Sequence, residues 1–150
     1  MKKSILIPMM MAALSNSPAF GQFESDVIRT SAGDLTMYFI GHGTLMFTLD
    51  DLVIHIDPVA READYEQLPD ADLILVTHEH GDHLDMNAIG QLQQAGTKLV
   101  MTQACLDQLE EVEATVMRNG DRMTFGLDEY GKRAQFDSLG LRQTCDCVKQ

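Results

Sequence analysis

The chain has few basic residues and few cysteines. Its 150 residues include 11 lysines and arginines against 23 aspartates and glutamates, for a formal net charge of -12. Because phosphate binding requires a basic face, this balance argues against nucleic acid as a partner and leaves a small-molecule ligand as the expectation. The three cysteines are an odd number without zinc-ribbon spacing, so they define no disulfide framework. With 45% apolar residues, the chain can form one core and is too short for two ordinary domains.

The N-terminus has an apolar stretch, but it is too short to span a bilayer. This stretch, residues 5–14, is interrupted by Pro8 and preceded by two lysines. It is followed by an Ala-Phe-Gly sequence ending at Gly21, which has small residues where a signal peptidase requires them. We predict that residues 1–21 are a signal peptide, with an amphipathic or membrane-anchored N-terminus as the alternative. Without a lipobox cysteine near the cleavage site, the product is expected to be periplasmic or secreted and without a stable membrane anchor.

Histidine is absent after position 83, yet three of the five histidines fall in one short segment. That segment reads Thr77-His78-Glu79-His80-Gly81-Asp82-His83. It directly follows the apolar run at 73–76, which is typical of a buried strand. Three imidazoles and two carboxylates at the end of such a strand are costly to bury unless a cation balances them. The segment therefore predicts a metal site, which we call the metal loop.

The spacing within the metal loop indicates how it binds metal. In an extended segment, alternate side chains point to the same side, so His78 and His80 can reach one ion while Glu79 points away. Gly81 is expected to let the backbone turn sharply, which would return Asp82 and His83 toward a neighbouring ion. Imidazole nitrogen combined with carboxylate oxygen suits Zn²⁺, one or two ions, with manganese or iron as alternatives.

The first part of the chain predicts an antiparallel meander. Short β-branched or aromatic runs, separated by Gly- and Asp-containing turns, occur at 26–31, 35–40, 44–49 and 52–56. Their polar and apolar residues alternate only in part, which indicates that both faces of the sheet become covered.

The later part predicts alternating strands and helices. After a helical turn or loop at 61–68, the strand at 73–76 leads through the metal loop to a helix at 86–95, with Asp85 as its N-cap and Gly96 as its stop. A strand at 98–101, a helix at 102–110 capped by Thr102, and a hairpin at 114–125 turning at Asn119-Gly120 complete the pattern. The predicted fold class is α+β, a sheet covered by helices on its outer face.

The H-x-H-x-D-H pattern of the metal loop resembles that of the metallo-β-lactamase-fold hydrolases. The turn Gly41-His42-Gly43-Thr44 and the strand end Asp57-Pro58 resemble the branch that contains the ascorbate-6-phosphate lactonases. The resemblance implies an αββα sandwich, of which residues 22–125 would be the N-terminal part. It also implies two metals, the first bound by His78 and His80 and the second by Asp82 and His83.

The resemblance further implies metal-dependent hydrolysis of an ester, lactone, amide or phosphodiester bond by a metal-bound hydroxide. Asp82 would orient the hydroxide, and His42 is the candidate proton carrier, although a surface role for this turn residue is equally compatible with the sequence. Asp57 is predicted to hydrogen-bond the metal loop from behind, with a simple Asp-Pro turn as the alternative. His55 alternates with two isoleucines, so we expect packing or solvent exposure there.

The sequence also departs from this family. Its members have further histidine and aspartate ligands downstream, whereas here no histidine follows His83. Residues 22–125 contain 19 acidic and five basic residues, but residues 126–150 contain four of each. This change predicts an atypical tail at 126–150 from a truncated or frame-shifted gene, with a divergent short tail as the alternative. A secreted metal-binding module without turnover and an inactive fragment therefore stay open beside the hydrolase.

Overall fold

The computed structural model of the protein describes residues 23–127 and 132–137. The strands in these residues are β1 (Glu24–Thr30), β2 (Gly33–Gly41), β3 (Thr44–Leu49), β4 (Leu52–Ile56), β5 (Ala71–Val76), β6 (Gln93–Met101), β7 (Thr115–Val116), β8 (Arg122–Leu127) and β9 (Lys132–Asp137). The α-helices are α1 (Met86–Leu92) and α2 (Gln103–Leu106), and a 3₁₀ turn spans Tyr65–Gln67. This combination of a large sheet with few helices confirms the predicted α+β class.

Strands β1 to β7 form one sheet in which each strand lies beside its neighbours in the sequence. The first four pair antiparallel, which confirms the predicted meander. From β4 to β7 the pairing is parallel. Since β2 runs in the same direction as β4, the carboxyl ends of β2, β4, β5 and β6 meet at one edge of the sheet. We call this edge the site edge.

Apolar side chains pack on both faces in the centre of the sheet. On one face Met46, Ile74 and Met101 pack with the buried residues of helix α1. On the other face Ile54, Leu73 and Val100 form a second cluster, against which Met123 and Phe125 pack. The prediction that both faces become covered is thus confirmed for the central strands. It does not extend to the outer strand β1, all seven residues of which are exposed.

Both helices are shorter than predicted. The first begins as expected, with the Asp85 side chain accepting hydrogen bonds from the backbone N–H groups of Asn87 and Ala88, but it ends at Leu92 instead of residue 95. Gln93 already pairs with Ala71 of β5, so sheet hydrogen bonding replaces the last helical turn. Gly96 has φ +101° within β6 and is therefore not the helix stop.

The second helix is capped by Thr102, as predicted, and ends at Leu106 instead of residue 110. The Thr102 side chain accepts a hydrogen bond from the backbone N–H of Cys105.

The predicted hairpin at 114–125 is wrong in its pairing. The chain does turn at Asn119-Gly120, where the Asp121 N–H donates to the Arg118 carbonyl at 3.0 Å. The flanking strands belong to different sheets, because β7 pairs parallel with β6 whereas β8 pairs antiparallel with β9. Strand β7 pairs with β6, which is not its partner in the predicted hairpin, and a local turn signal does not reveal this pairing.

The predicted signal peptide at 1–21 and most of the atypical tail at 126–150 lie outside the described residues. Within the described ranges, none of the helices has both the length and the apolar character that crossing a bilayer requires.

Candidate metal centre

The candidate centre lies at the site edge, where three segments distant in sequence come together. Strand β4 ends at Ile56, so Asp57 is the first residue beyond it, and the metal loop follows the end of β5. The turn between β2 and β3 places His42 at the same edge, because β2 and β4 run in the same direction. The direction of the strands therefore explains why the turn and the metal loop meet.

Asp57 is the buried centre of this arrangement. Its side chain is 4% exposed. Oδ1 accepts a hydrogen bond from the Thr77 N–H at 2.7 Å, and Oδ2 accepts from the Thr77 hydroxyl at 2.5 Å. Oδ2 also lies 2.8 Å from Nδ1 of His83. The predicted hydrogen bonding of Asp57 to the metal loop is thus confirmed, and these contacts offset the cost of burying the carboxylate.

These contacts define which nitrogen of each imidazole is free. Since the Asp57 carboxylate only accepts, the Nδ1 of His83 must be the donor and its Nε2 is left without the proton in the neutral ring. The Thr77 hydroxyl uses its one proton toward Asp57, so its oxygen accepts from Nδ1 of His78 at 3.0 Å. A single carboxylate therefore determines the tautomers of two histidines, one directly and one through a threonine. Metal-binding histidines are commonly oriented by such a carboxylate contact.

A short turn returns the metal loop toward Asp57. The carbonyl of His80 accepts from the N–H groups of His83 at 2.9 Å and Leu84 at 2.8 Å. Gly81 is not in the left-handed region, and a Cβ added there would meet no atom within 4 Å. The prediction that Gly81 makes the turn possible is therefore wrong, because the hydrogen bonds to the His80 carbonyl form it with ordinary backbone angles.

The glycine that does matter sits in the neighbouring turn. A Cβ on Gly43 would lie 2.8 Å from Cε1 of His83, closer than side-chain carbons approach. His83 cannot move away easily, because its Nδ1 is bound to Asp57. Gly43 thus allows the β2–β3 turn to pack against the imidazole, and the preceding residue, His42, has a left-handed φ of 45°.

This packing brings His42 to Asp82. Nε2 of His42 lies 3.1 Å from Oδ2 of Asp82, and the two side chains are 50% and 39% exposed. Nε2 of His83 lies 3.9 Å from the same carboxylate oxygen. The exposed part of the centre therefore consists of two imidazoles on either side of one carboxylate, open to solvent.

Local interactions shift the pKa values of two groups in the metal loop. The pKa of His78 lies below its ordinary value because the ring is partly desolvated and the adjacent His83 disfavours a second positive charge. The pKa of Asp82 is also lowered, first by a hydrogen bond from its own backbone and then by His83 and His42. Both shifts favour the forms that bind metal, a neutral imidazole and an ionised carboxylate.

Two groups of side chains in the described residues have ligand atoms within 4.8 Å of one another. One contains His42, Asp82 and His83, and the other contains Asp57, His78 and His83. Imidazole nitrogen and carboxylate oxygen at such separations fit a divalent transition metal. Of the predicted ligands, the structure thus places His78, Asp82 and His83 in these groups.

His80 belongs to neither group, although its ring lies 4.9 Å from that of His78. The predicted division into a His78–His80 ion and an Asp82–His83 ion stays a prediction. Glu79, expected to point away from the metal, is also in neither group, and its buried Oε2 has no hydrogen-bond partner among the described residues.

Sequence reasoning missed the part that Thr77 plays. The residue directly precedes the first histidine of the loop, and a hydroxyl next to an imidazole is a recognisable signal. His55 is fully buried, its Nε2 lies 3.1 Å from the Pro69 carbonyl, and its ring packs edge-on to Tyr65, so the packing alternative was right.

Comparison with known proteins agrees with this architecture. A solved structure from Parabacteroides distasonis, whose name assigns it provisionally to the metal-dependent hydrolases, is 42% identical and superimposes with a TM-score of 0.63. The match covers 67% of this chain and 46% of that one, so the present chain spans less than half of its relative. The α+β fold is thus consistent with the N-terminal part of a metallo-β-lactamase fold, while the ascorbate-6-phosphate lactonase branch stays a prediction.

The sequence also matches a family model described as a beta-lactamase superfamily domain. The match covers residues 36–137, which include both the metal loop and the His42 turn. Since this match covers more than half of the chain, the protein belongs to the family of beta-lactamase superfamily domains.

Proposed function

We propose that the protein is a metal-dependent hydrolase of small molecules, with zinc as the metal and an ester, lactone, amide or phosphodiester as the bond cleaved. The single observation that supports this best is the set of contacts to Asp57. They leave Nε2 of His78 and Nε2 of His83 free to bind a cation, and Nε2 of His83 lies 3.9 Å from the exposed carboxylate of Asp82. Family membership and the metal-dependent relative support the same conclusion at a coarser level.

His78, His80, Asp82 and His83 are the proposed metal ligands. A divalent cation supplies Lewis acidity, which polarises the bond under attack and lowers the pKa of water at the site. Imidazole and carboxylate ligands favour zinc, and manganese or iron are the alternatives.

Asp82 and His42 are the proposed catalytic residues. The Asp82 carboxylate is 39% exposed, so its oxygens can accept a hydrogen bond from an attacking water and orient it. Nε2 of His42 donates a hydrogen bond to that carboxylate at 3.1 Å, so the other ring nitrogen, Nδ1, is the one that can accept a proton and release it to solvent. The same position would also allow His42 to contact the metal itself.

We also propose that the protein acts in the periplasm or outside the cell, after removal of residues 1–21. The basic start, the short apolar stretch and the small residues before position 22 support this. N-terminal sequencing of the protein from the periplasm or medium should begin at Gln22. An intact Met1 in a cytosolic fraction would contradict this location.

The proposed activity can be tested with the purified chain after zinc loading. We expect hydrolysis of at least one generic substrate among p-nitrophenyl acetate, a simple lactone and bis-p-nitrophenyl phosphate. Asp82→Asn should abolish this turnover, whereas Asp51→Asn, an exposed carboxylate in the β3–β4 turn, should leave it unchanged. Metal content should be measured on the same samples by elemental analysis.

The outcomes separate the alternatives. Bound zinc without hydrolysis of any substrate would favour a metal-binding module. Absence of both zinc and turnover would overturn the proposal. Turnover that survives Asp82→Asn would show that Asp82 does not orient the attacking water.

A further inference from the structure

We propose that His42 is itself a metal ligand, and that His42, Asp82 and His83 together form a three-residue site for one divalent cation. This inference rests on the proposed metal dependence, and it gives His42 a different role from that of a proton carrier. It also supplies an ion at Asp82 and His83 with a third protein ligand from the β2–β3 turn, a segment outside the metal loop.

The distances within this group support it. Nε2 of His42 and Nε2 of His83 lie 3.1 Å and 3.9 Å from Oδ2 of Asp82. The two imidazole rings have centroids 5.4 Å apart and are inclined by 56°, so they converge without stacking. Ligand atoms of all three side chains lie within 4.8 Å of one another.

In the other group of potential ligands, the carboxylate is already satisfied without a cation. In the group of Asp57, His78 and His83, the carboxylate accepts hydrogen bonds from two side chains and one backbone N–H. The Nδ1 proton of His83 is used in the same network. Its Nε2, in contrast, faces Asp82, so one of the two imidazole nitrogens that the buried network leaves free belongs to the exposed group.

The backbone of the turn is built to place His42 here. A non-glycine residue at φ 45° is energetically unfavourable and is retained where the surroundings determine the conformation. Gly43 lies against His83, where a Cβ would meet a ring that Asp57 holds in place, whereas a Cβ on Gly41 would meet only the flexible end of the Glu62 side chain. The close contact at Gly43 therefore fixes the turn, and with it His42, beside His83 and Asp82.

The exposure of the group also suits a functional ion. Catalytic zinc sites have three protein ligands and one position open to water or substrate. Half of the His42 side chain and 39% of the Asp82 side chain are accessible, whereas His83 is held from beneath by Asp57. The geometry therefore combines one rigid ligand with two that a cation can reach from solvent.

The test compares two substitutions of His42 in the full chain. His42→Ala removes the side chain, while His42→Gln retains an N–H donor for Asp82 but replaces the imidazole with an amide, a poor zinc ligand. Zinc affinity is measured by chelator competition after metal removal, and the cobalt(II) form is followed by its visible absorption spectrum. Thermal unfolding followed by circular dichroism establishes that each variant is folded.

If His42 is a ligand, both variants should bind zinc about 10- to 100-fold more weakly, and both should change the cobalt spectrum. If His42 only pairs with Asp82, His42→Gln should keep the wild-type affinity and spectrum, and the inference would be overturned.

Activity does not enter this test, so the two proposals can fail separately. Loss of zinc in both variants of a protein without turnover supports the His42 site but not the hydrolase. Turnover with unchanged zinc binding in both variants supports the hydrolase but not the His42 site. A wild-type chain that binds no zinc overturns both.

Discussion

The two aspartates of the candidate centre differ in what surrounds them. The Asp57 side chain is 4% exposed and accepts three hydrogen bonds, whereas the Asp82 side chain is 39% exposed and lies beside the imidazoles of His42 and His83. The first carboxylate orients histidines, and the second is left available for a ligand from solvent. The centre thus has a structural half and a binding half, joined by His83, which contacts Asp57 through Nδ1 and faces Asp82 through Nε2.

Exchanging each carboxylate for an amide should separate the roles of the two aspartates most clearly. In Asp57→Asn one acceptor oxygen becomes an NH₂ group that faces buried donors, so we expect the free energy of unfolding to fall by about 2–4 kcal/mol. In the exposed variant Asp82→Asn the free energy of unfolding should change little, while zinc binding weakens. Urea unfolding of the metal-free proteins measures both values. Equal losses of stability in the two variants would contradict the division into two halves.

Acidification should destabilise the protein through a buried histidine. Unlike His83, His55 is buried without a carboxylate, and desolvation lowers its pKa to about 4 despite its hydrogen bond to the Pro69 carbonyl. Below pH 6.5 the unfolded chain binds this proton more readily than the native state, so stability falls as the pH falls from 6.5 to 4. The expected loss is about 3 kcal/mol.

Urea unfolding between pH 7 and pH 4 measures this loss. Other groups titrate over the same range, so the control is His55→Phe, whose pH-dependent loss should be smaller by that amount. Identical pH profiles for the variant and the wild type would show that protonation of His55 does not contribute to the loss of stability on acidification.

Two glycines next to the centre give a matched pair with a smaller effect. Gly43→Ala should push the His83 ring away from its place on Asp57, at a cost of about 1–3 kcal/mol and with weaker zinc binding. Gly81→Ala has open space and ordinary backbone angles, so it should change stability by less than about 0.5 kcal/mol. Thermal unfolding compares the two. A greater loss of stability in Gly81→Ala than in Gly43→Ala would show that the turn does require glycine at position 81.

The smallest expected effect concerns the contact between the structural half and His78. Thr77→Val removes the hydroxyl that relays Asp57 to the imidazole, at a cost of about 1 kcal/mol in the free energy of unfolding. The His78 ring should then populate both neutral tautomers, which ¹⁵N chemical shifts of the imidazole report. Thr77→Ser retains the hydroxyl and should keep the single Nδ1–H form. A single tautomer in the valine variant would show that Thr77 does not determine it.

Much of this fold could be predicted from local sequence. The meander strands, the Asp85 cap and the Thr102 cap follow from residue type and spacing within a few positions. The ends of the helices and the pairing of β7 and β8 could not be predicted, because they depend on strands distant in sequence. Gln93 leaves the helix since Ala71, which lies on β5, offers a sheet partner.

The site shows the same limit. The metal loop identified His78, Asp82 and His83 because they lie close together in the sequence. Asp57 could be suspected from its strand end, but its hydrogen bonds to Thr77 and His83 form across 20 and 26 residues of chain. Side-chain contacts over such separations depend on the register of β4 against β5, and no local pattern contains that register.

These sequence separations also bear on the order in which the protein folds. The β2–β3 hairpin closes over a two-residue turn and can form within microseconds, so the backbone around His42 takes shape early. The contacts of Asp57 with the metal loop, and of His42 with Asp82 across 40 residues, require the parallel pairing of β4 with β5. Parallel pairing of this kind is slow, because the chain must lose the entropy of closing a long loop before the stabilising contacts form. The candidate metal centre is therefore completed late, so a metal ion bound there would stabilise the folded chain without directing the first steps of its folding.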